Sequence, residues 1–273
     1  LHPKLAELIQ ILDLEQIEND IFRGYHPQDG RGRLYGGQIM AQALIAAGRT
    51  VSADRPPHSL HGYFLRPGDP AVPVLFMVER IRDGRSFTTR RIVAIQHGRA
   101  IFSMDTSFQV VEDGLNHQAE MPAVQRPDDA TLARVNQSDA FVTFLLEYKA
   151  KLARQPLPPQ QHHWFRANGT IAADDPLLHA ALLTFQSDDA LLSTSRLPHA
   201  GKFERKDMQS ASLDHAMWFH RPVVRVDQWL LYALDAPQAA AARGYNRGLM
   251  FTEAGELVAS TIQESLMRLR KNP

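Results

Sequence analysis

An aromatic pair, one further residue and then Arg-Pro occurs twice in this chain, as His61-Gly62-Tyr63-Phe64-Leu65-Arg66-Pro67 and as Ala216-Met217-Trp218-Phe219-His220-Arg221-Pro222. The copies begin 155 residues apart, and the segments after each copy keep the same order. An apolar run comes first (Val74 to Val78; Trp229 to Leu234), then an Arg-containing stretch, then a second apolar run. Gly98 and Gly255 next mark hairpin turns, with Ala100 to Ser103 and Leu257 to Ser260 as returning strands. A period this long, held across several segments, means one structural unit used twice.

Each copy is preceded by a segment that reads as a helix almost free of charge. After Gly36-Gly37, the residues Ile39, Met40, Ala43, Leu44 and Ala47 recur at helical spacing. In the second copy Asp174 or Asp175 caps a helix with Pro176 at its first position, and Leu178, Ala181, Leu182 and Phe185 form the stripe. Helices without a charged face are buried on most sides. The expected class is therefore α+β, each half an antiparallel sheet wrapped around one helix. Residues 1–112 form the N-terminal unit, 113–160 a connector and 161–273 the C-terminal unit. Five of the seventeen prolines fall between Pro122 and Pro159, which marks the connector. Within it, Ser138 or Asp139 is expected to cap a short helix carrying Phe141, Phe144, Leu145, Tyr148 and Leu152 on one face.

Composition narrows the chemistry. Thirty basic side chains balance thirty acidic ones, which argues against nucleic acid or an acidic membrane as partner. The absence of cysteine removes disulfides, thiolate metal sites and thiol nucleophiles. No apolar run approaches a membrane span and Leu1 to Asp20 has no cleavable-signal pattern, so the expected location is cytoplasmic, with no membrane partner. His58-x-x-His61 and His162-His163 lack a zinc spacing, so no metal is expected.

Several residues are candidates for chemistry. Asp188 continues the stripe of the second helix beyond Phe185, so it is either solvated past the helix end or a carboxylate carried inside. In the second case burial and the negative end of the helix dipole both raise its pKa toward that of a general base. Ser212-Leu213-Asp214-His215 suggests a triad, but strand alternation sends Ser212 and Asp214 to one face and His215 to the other, and there is no Gly-x-Ser-x-Gly elbow. Ser212 is better suited as a lone hydroxyl facing a carboxylate. Gln263, on the face of Leu257, Ala259 and Thr261, is either a satisfied strand amide or a group that orients a water or carbonyl. Gly30-x-Gly32-x-x-x-Gly36 lacks the dinucleotide spacing; Gly36 and Gly37 either bring backbone amides to a ligand or serve a tight packing turn. Arg80, Arg82, Arg85, Arg90, Arg91 and Arg99 form either a solvated strand face or a docking surface for a phosphorylated ligand.

Taken together, these stretches resemble the acyl-CoA thioesterase II family, the TesB type. The resemblance is carried by Gly36-Gly37-Gln38-Ile39-Met40-Ala41-Gln42-Ala43-Leu44, by His58 through Asp69, by Arg82-Asp83-Gly84-Arg85-Ser86-Phe87 with Arg90-Arg91, by Leu213 through Pro222, and by Ala259 through Glu264. It implies a double hotdog fold and hydrolysis of fatty acyl-CoA to free acid and CoA, with no cofactor and no metal. It also implies a catalytic Asp, Thr and Gln that hold and activate a water. Asp188 matches the Asp and Gln263 the Gln, while Ser212 stands where the family usually has Thr, keeping the hydroxyl and losing the methyl. A homo-oligomer is expected by analogy with other hotdog proteins. The rival readings are a hotdog enoyl-thioester hydratase, which needs a carboxylate and histidine pair, and a non-catalytic acyl-CoA-binding protein.

Overall fold

The computed structural model describes residues 1–27, 32–132, 139–171 and 175–270, so Gly30, Ser138 and Asp174 lie outside the described residues. The first half runs α1 (Pro3–Leu12), β1 (Glu15–Glu18), β2 (Ile21–Gly24), α2 (Gly36–Gly48), β3 (Pro57–Phe64), β4 (Val74–Asp83), β5 (Phe87–Gln96) and β6 (Arg99–Gln109). After it come α3 (Asp129–Leu132), β7 (Phe141–Leu145), α4 (Tyr148–Leu152), β8 (Gln160–Ala167), α5 (Pro176–Ser187), α6 (Leu191–Thr194), β9 (Met208–Ser212), β10 (Asp214–Phe219), β11 (Leu230–Ala240), β12 (Arg243–Thr252) and β13 (Leu257–Leu269). No helix among the described residues is long and apolar enough to cross a membrane.

All the strands belong to one antiparallel sheet, in the order β1-β2-β4-β5-β6-β3-β10-β13-β12-β11-β8-β7, with β9 on β13. Read outward from the centre, the two halves have the same strand order, so the sequence repeat is a structural one. The seam is the repeat itself. Strand β3 pairs with β10, and His61 lies opposite Ala216, the residue 155 positions on. An approximate two-fold axis therefore passes between the two copies of the motif. This is the double hotdog architecture that the resemblance implies.

The two helices are buried as their composition requires. Every residue of α2 from Gly37 to Ala47 is buried, and Gln42 Nε2 donates to the carbonyls of Ile11 and Tyr25, both at 3.1 Å. Asp175 caps α5 through bonds to the Leu177 and Leu178 amides, with Pro176 at the first position. Glycine lets the helices meet. A Cβ on Gly37 would stand 2.2 Å from the Phe185 carbonyl, and one on Gly48 would stand 2.5 Å from Leu177, so α2 and α5 lie side by side with the start of one at the end of the other.

Two local expectations fail. Residues 139–152 are not one helix: Phe141–Leu145 is a strand, β7, followed by the short α4, in which Tyr148 and Leu152 are exposed. Its aromatic and β-branched residues gain ladder bonds to β8 and a stacked contact between Phe141 and Phe185 that a surface helix would forgo. Leu257 does not share the face of Ala259, Thr261 and Gln263. The register slips between Met250 and Phe251, and Leu257 turns to the outer face to pack with Trp164, Leu231 and Phe251 beneath Met121 and Val124 of the connector. Three of the six grouped arginines stand in separate ion pairs: Arg80 with Asp20, Arg91 with Asp105, and Arg90 buried on Asp83 and Thr50. Arg82, Arg85 and Arg99 are exposed.

Candidate active site

Asp188 caps the C-terminus of α5, and its side chain is only 7% exposed. It therefore continues the buried stripe instead of entering solvent. Its two oxygens have different partners. Oδ1 accepts from Gln263 Nε2 at 2.6 Å and, at a longer 3.5 Å, from Ser212 Oγ. Oδ2 accepts the Gly37 backbone N–H at 3.0 Å. The three side chains named from sequence thus converge on one carboxylate, from α5, β9 and β13.

Gly37 belongs to the first half, so the site straddles the seam and is not confined to the C-terminal half as the sequence implied. Of the Gly36-Gly37 amides, expected to serve a ligand or a packing turn, one serves the protein's own carboxylate. The positive end of α2 opposes the negative end of α5 at Asp188, so the expected dipole effect is countered. Burial pushes the Asp188 pKa above its usual range, while the bonds from Gln263, Gly37 and Ser212 hold it back.

The alternation argument for Ser212 to His215 also fails, for a definable reason. Ser212 lies opposite Ser265, and Ala216 lies opposite Ile262. Four steps on one strand span three on the other, so a bulge at Leu213-Asp214 inserts one residue and reverses the facing. Asp214 turns away to accept the Glu264 N–H at 2.6 Å, and fully buried His215 joins the Asp188 side. Its Nε2 is 3.0 Å from Ser187 Oγ and its Nδ1 is 4.0 Å from Asp188 Oδ1. This resembles a Ser-His-Asp triad built on Ser187. The hydroxyl of Ser187, however, is wholly buried and donates to the Thr184 carbonyl at 2.8 Å, so it is neither accessible nor free to attack. The same burial removes His215 as the accessible partner a hydratase needs. It also holds the imidazole pKa down to about 3, so the ring is neutral.

A cavity of about 570 Å³ opens onto Asp188 and Ser212. Its mouth is formed by exposed Gly32, Arg33, Leu65 and Arg66, and its floor by buried Ile39, Ile101 and Phe102. Phe64, 5.1 Å from the Phe102 ring, is a further wall, and a Cβ on Gly36 would stand within 3 Å of both Phe64 and Asp188 Oδ2. Gln263 is fully buried behind Asp188. Sequence reasoning missed Gly37 as a partner of Asp188, and it missed Ser187, Ser265 and Asn246; none of these carries a local signal beyond being small or polar in an apolar run.

Comparison with known proteins agrees with this architecture. The acyl-CoA thioesterase family model matches residues 136–266, and that of the acyl-CoA thioesterase N-terminal domain matches residues 25–109. Acyl-coenzyme A thioesterase 8 of Mus musculus is 40% identical, over 95% of this chain and 88% of its own length. Acyl-CoA thioesterase 2 of Haemophilus influenzae is 38% identical, over 97% of this chain and 98% of its own. The crystal structure of an acyl-CoA thioesterase II, TesB2, from Mycobacterium marinum is 42% identical and superposes with a TM-score of 0.84, covering 98% of this chain and 100% of that one.

Proposed function

Because the chain belongs to the acyl-CoA thioesterase family and is a thioester hydrolase, we propose that it cleaves fatty acyl-CoA by direct attack of a water activated at Asp188. The carrying observation is a buried carboxylate with raised pKa, held from behind and open on one side to an apolar cavity. The floor of Ile39, Ile101 and Phe102 suits an acyl chain, and the rim guanidiniums of Arg33 and Arg66 suit an anionic carrier.

In this mechanism Asp188 takes a proton from water as the water oxygen bonds to the thioester carbonyl carbon. The tetrahedral intermediate then collapses, the C–S bond breaks, and the proton passes to the departing sulfur. Ser212, on the cavity wall, shares the water with Asp188. Gln263 acts from behind, donating to Oδ1 and fixing the direction in which the carboxylate points. The division into a unit 1–112, a connector and a C-terminal unit supplying these three side chains belongs to the same proposal, with the start of the C-terminal unit moved back from 161 to β7, which pairs with β8 as the outermost strand of that half. So does self-association through the outer face of β4, where Leu75, Met77 and Ile81 stand exposed in alternation.

The test is release of free CoA thiol from a panel of acyl-CoAs of increasing chain length. Wild-type protein is expected to release thiol, and Asp188→Asn to lower kcat by about 10²–10⁴-fold, the range for loss of a positioned base. A near-normal kcat in that variant removes Asp188 from the mechanism.

A further inference from the structure

A glutamine amide is nearly symmetric in shape, yet only one of its two orientations serves Asp188. If the amide flips, Oε1 faces the carboxylate and the 2.6 Å bond becomes a repulsion. Something must decide the orientation, and on the His215 side of Gln263 the bonds run in one direction only. Ser265 Oγ donates to Gln263 Oε1 at 3.1 Å, and Asn246 Nδ2, which donates to the Gly244 and Gln263 carbonyls at 3.1 and 3.2 Å, stands at a longer 3.4 Å from Ser265 Oγ. The Asn246 carbonyl oxygen is itself held by the Ser195 N–H at 3.1 Å. On the other side the Ser187 proton is committed to the Thr184 carbonyl, so Ser187 Oγ accepts from His215 Nε2–H at 3.0 Å. That tautomer leaves Nδ1 bare, 3.3 Å from Gln263 Nε2.

We propose that His215 is a positioning residue for thioester hydrolysis: its Nδ1 accepts the second N–H of Gln263 and so locks the amide with its NH2 group toward Asp188. The inference rests on the functional reading above and adds a residue that never touches substrate. Ser187 sets the histidine tautomer, and complete burial keeps the ring neutral, so the acceptor persists over the working pH range. Together these bonds give Gln263 an acceptor for each N–H and a donor for its carbonyl. The opposite orientation would set Oε1 against the Asp188 carboxylate and the bare His215 Nδ1, neither of which has a proton to donate, whereas the Ser265 hydroxyl can serve either orientation.

The decisive comparison is between His215→Asn and His215→Gln. The asparagine carbonyl reaches the place of Nδ1, whereas the glutamine carbonyl reaches nearer that of Nε2. Thiol release by His215→Asn is expected to stay within a few-fold of wild type. His215→Gln and His215→Leu should lose kcat on the order of 10- to 100-fold, the scale of a small misplacement at a reacting centre, with KM little changed. Their kcat/KM acid limb should move to higher pH, because Asp188 loses a hydrogen-bond donor. In a Gln263→Ala background His215→Leu should cost kcat nothing further, since the group it positions is gone. Equal kcat in the Asn and Gln variants, or an undiminished loss in the Gln263→Ala background, would overturn the inference. Circular dichroism and melting temperature identify variants that fail to fold, and the Asn and Gln pair differ too little in size for folding to explain a one-sided loss. A wild-type protein that releases no thiol would sink the functional reading instead.

Discussion

The carboxyl group of Asp188 sits in conflicting surroundings, and its behaviour reflects their balance. Burial disfavours the anion, while donors from Gln263, Gly37 and Ser212 favour it, and burial is the larger effect. Catalysis requires the anion, so the acid limb of kcat/KM is expected above about 3.9, the ordinary value for an aspartate. Stability has the opposite sign. A carboxylate whose pKa is raised by folding loses stabilisation as pH climbs from the unfolded value through the folded one. Asp188→Asn, which cannot ionise, should therefore melt at or above the wild-type temperature near neutral pH. That advantage should fade as the pH falls and be gone below about 3.9, where the wild-type carboxyl is protonated in both states. Thermal melts of both proteins across pH check this. A variant less stable at pH 7 than at pH 4, relative to wild type, would mean the anion stabilises the fold. Of the residues involved, Asp188 was legible because a helical stripe runs onto it. His215 was not, because an inserted residue in the ladder reverses the facing that alternation assigns.

At the level of elements, two helices and a bulge build the site. The start of α2 reaches the end of α5 only because Gly37 has no side chain in the gap: a Cβ there would overlap the Phe185 backbone carbonyl. That contact is with backbone, which cannot rotate away, so the helices must separate. Gly37→Ala is expected to destabilise the fold by about 1–3 kcal/mol, the range for overpacking, and also to lower kcat by lengthening the Gly37 N–H bond to Asp188. Urea unfolding and thiol release on the same preparation measure the two effects. A variant with full stability and full activity would show that the helix contact is not tight. The pattern of uncharged residues made α2 and α5 recognisable, and Pro176 after Asp175 located a start. Residues 141–145 mislead because a five-residue run of aromatics and β-branched side chains suits both a helix face and a strand, and the partner β8 decides between them.

For the whole molecule, the duplication places its own repeat at the seam, with β3 and β10 paired about the equivalent residues His61 and Ala216. This makes the site a joint product: the carboxylate, hydroxyl and amide come from the second half, and the Gly37 donor, the cavity floor and most of the mouth from the first. A fragment of residues 139–273, which retains β7 beside β8, keeps Asp188, Ser212 and Gln263 but leaves the edge of β10 and the face of α5 uncovered. It is expected to show no thiol release and to aggregate, as exposed strand edges do. Size-exclusion chromatography and the thiol assay check this, and an active fragment would mean that the first half is dispensable to the chemistry.

The sequence alone determined what depends on local spacing and repetition: the duplication, the α+β class, two buried helices, and the hairpins at Gly98 and Gly255, both at positive φ, while the resemblance to the thioesterase family picked out the three side chains that meet. Those signals are periodic or covalently local, so they survive in one dimension. Only the tertiary structure decided which half each neighbour comes from, which way β9 and β10 face, and that Gly37 and His215 complete the surroundings of Asp188 and Gln263. Such relations depend on a one-residue register step and on the approach of segments some 150 residues apart. No local pattern encodes them, because they arise where separately specified elements are packed against one another.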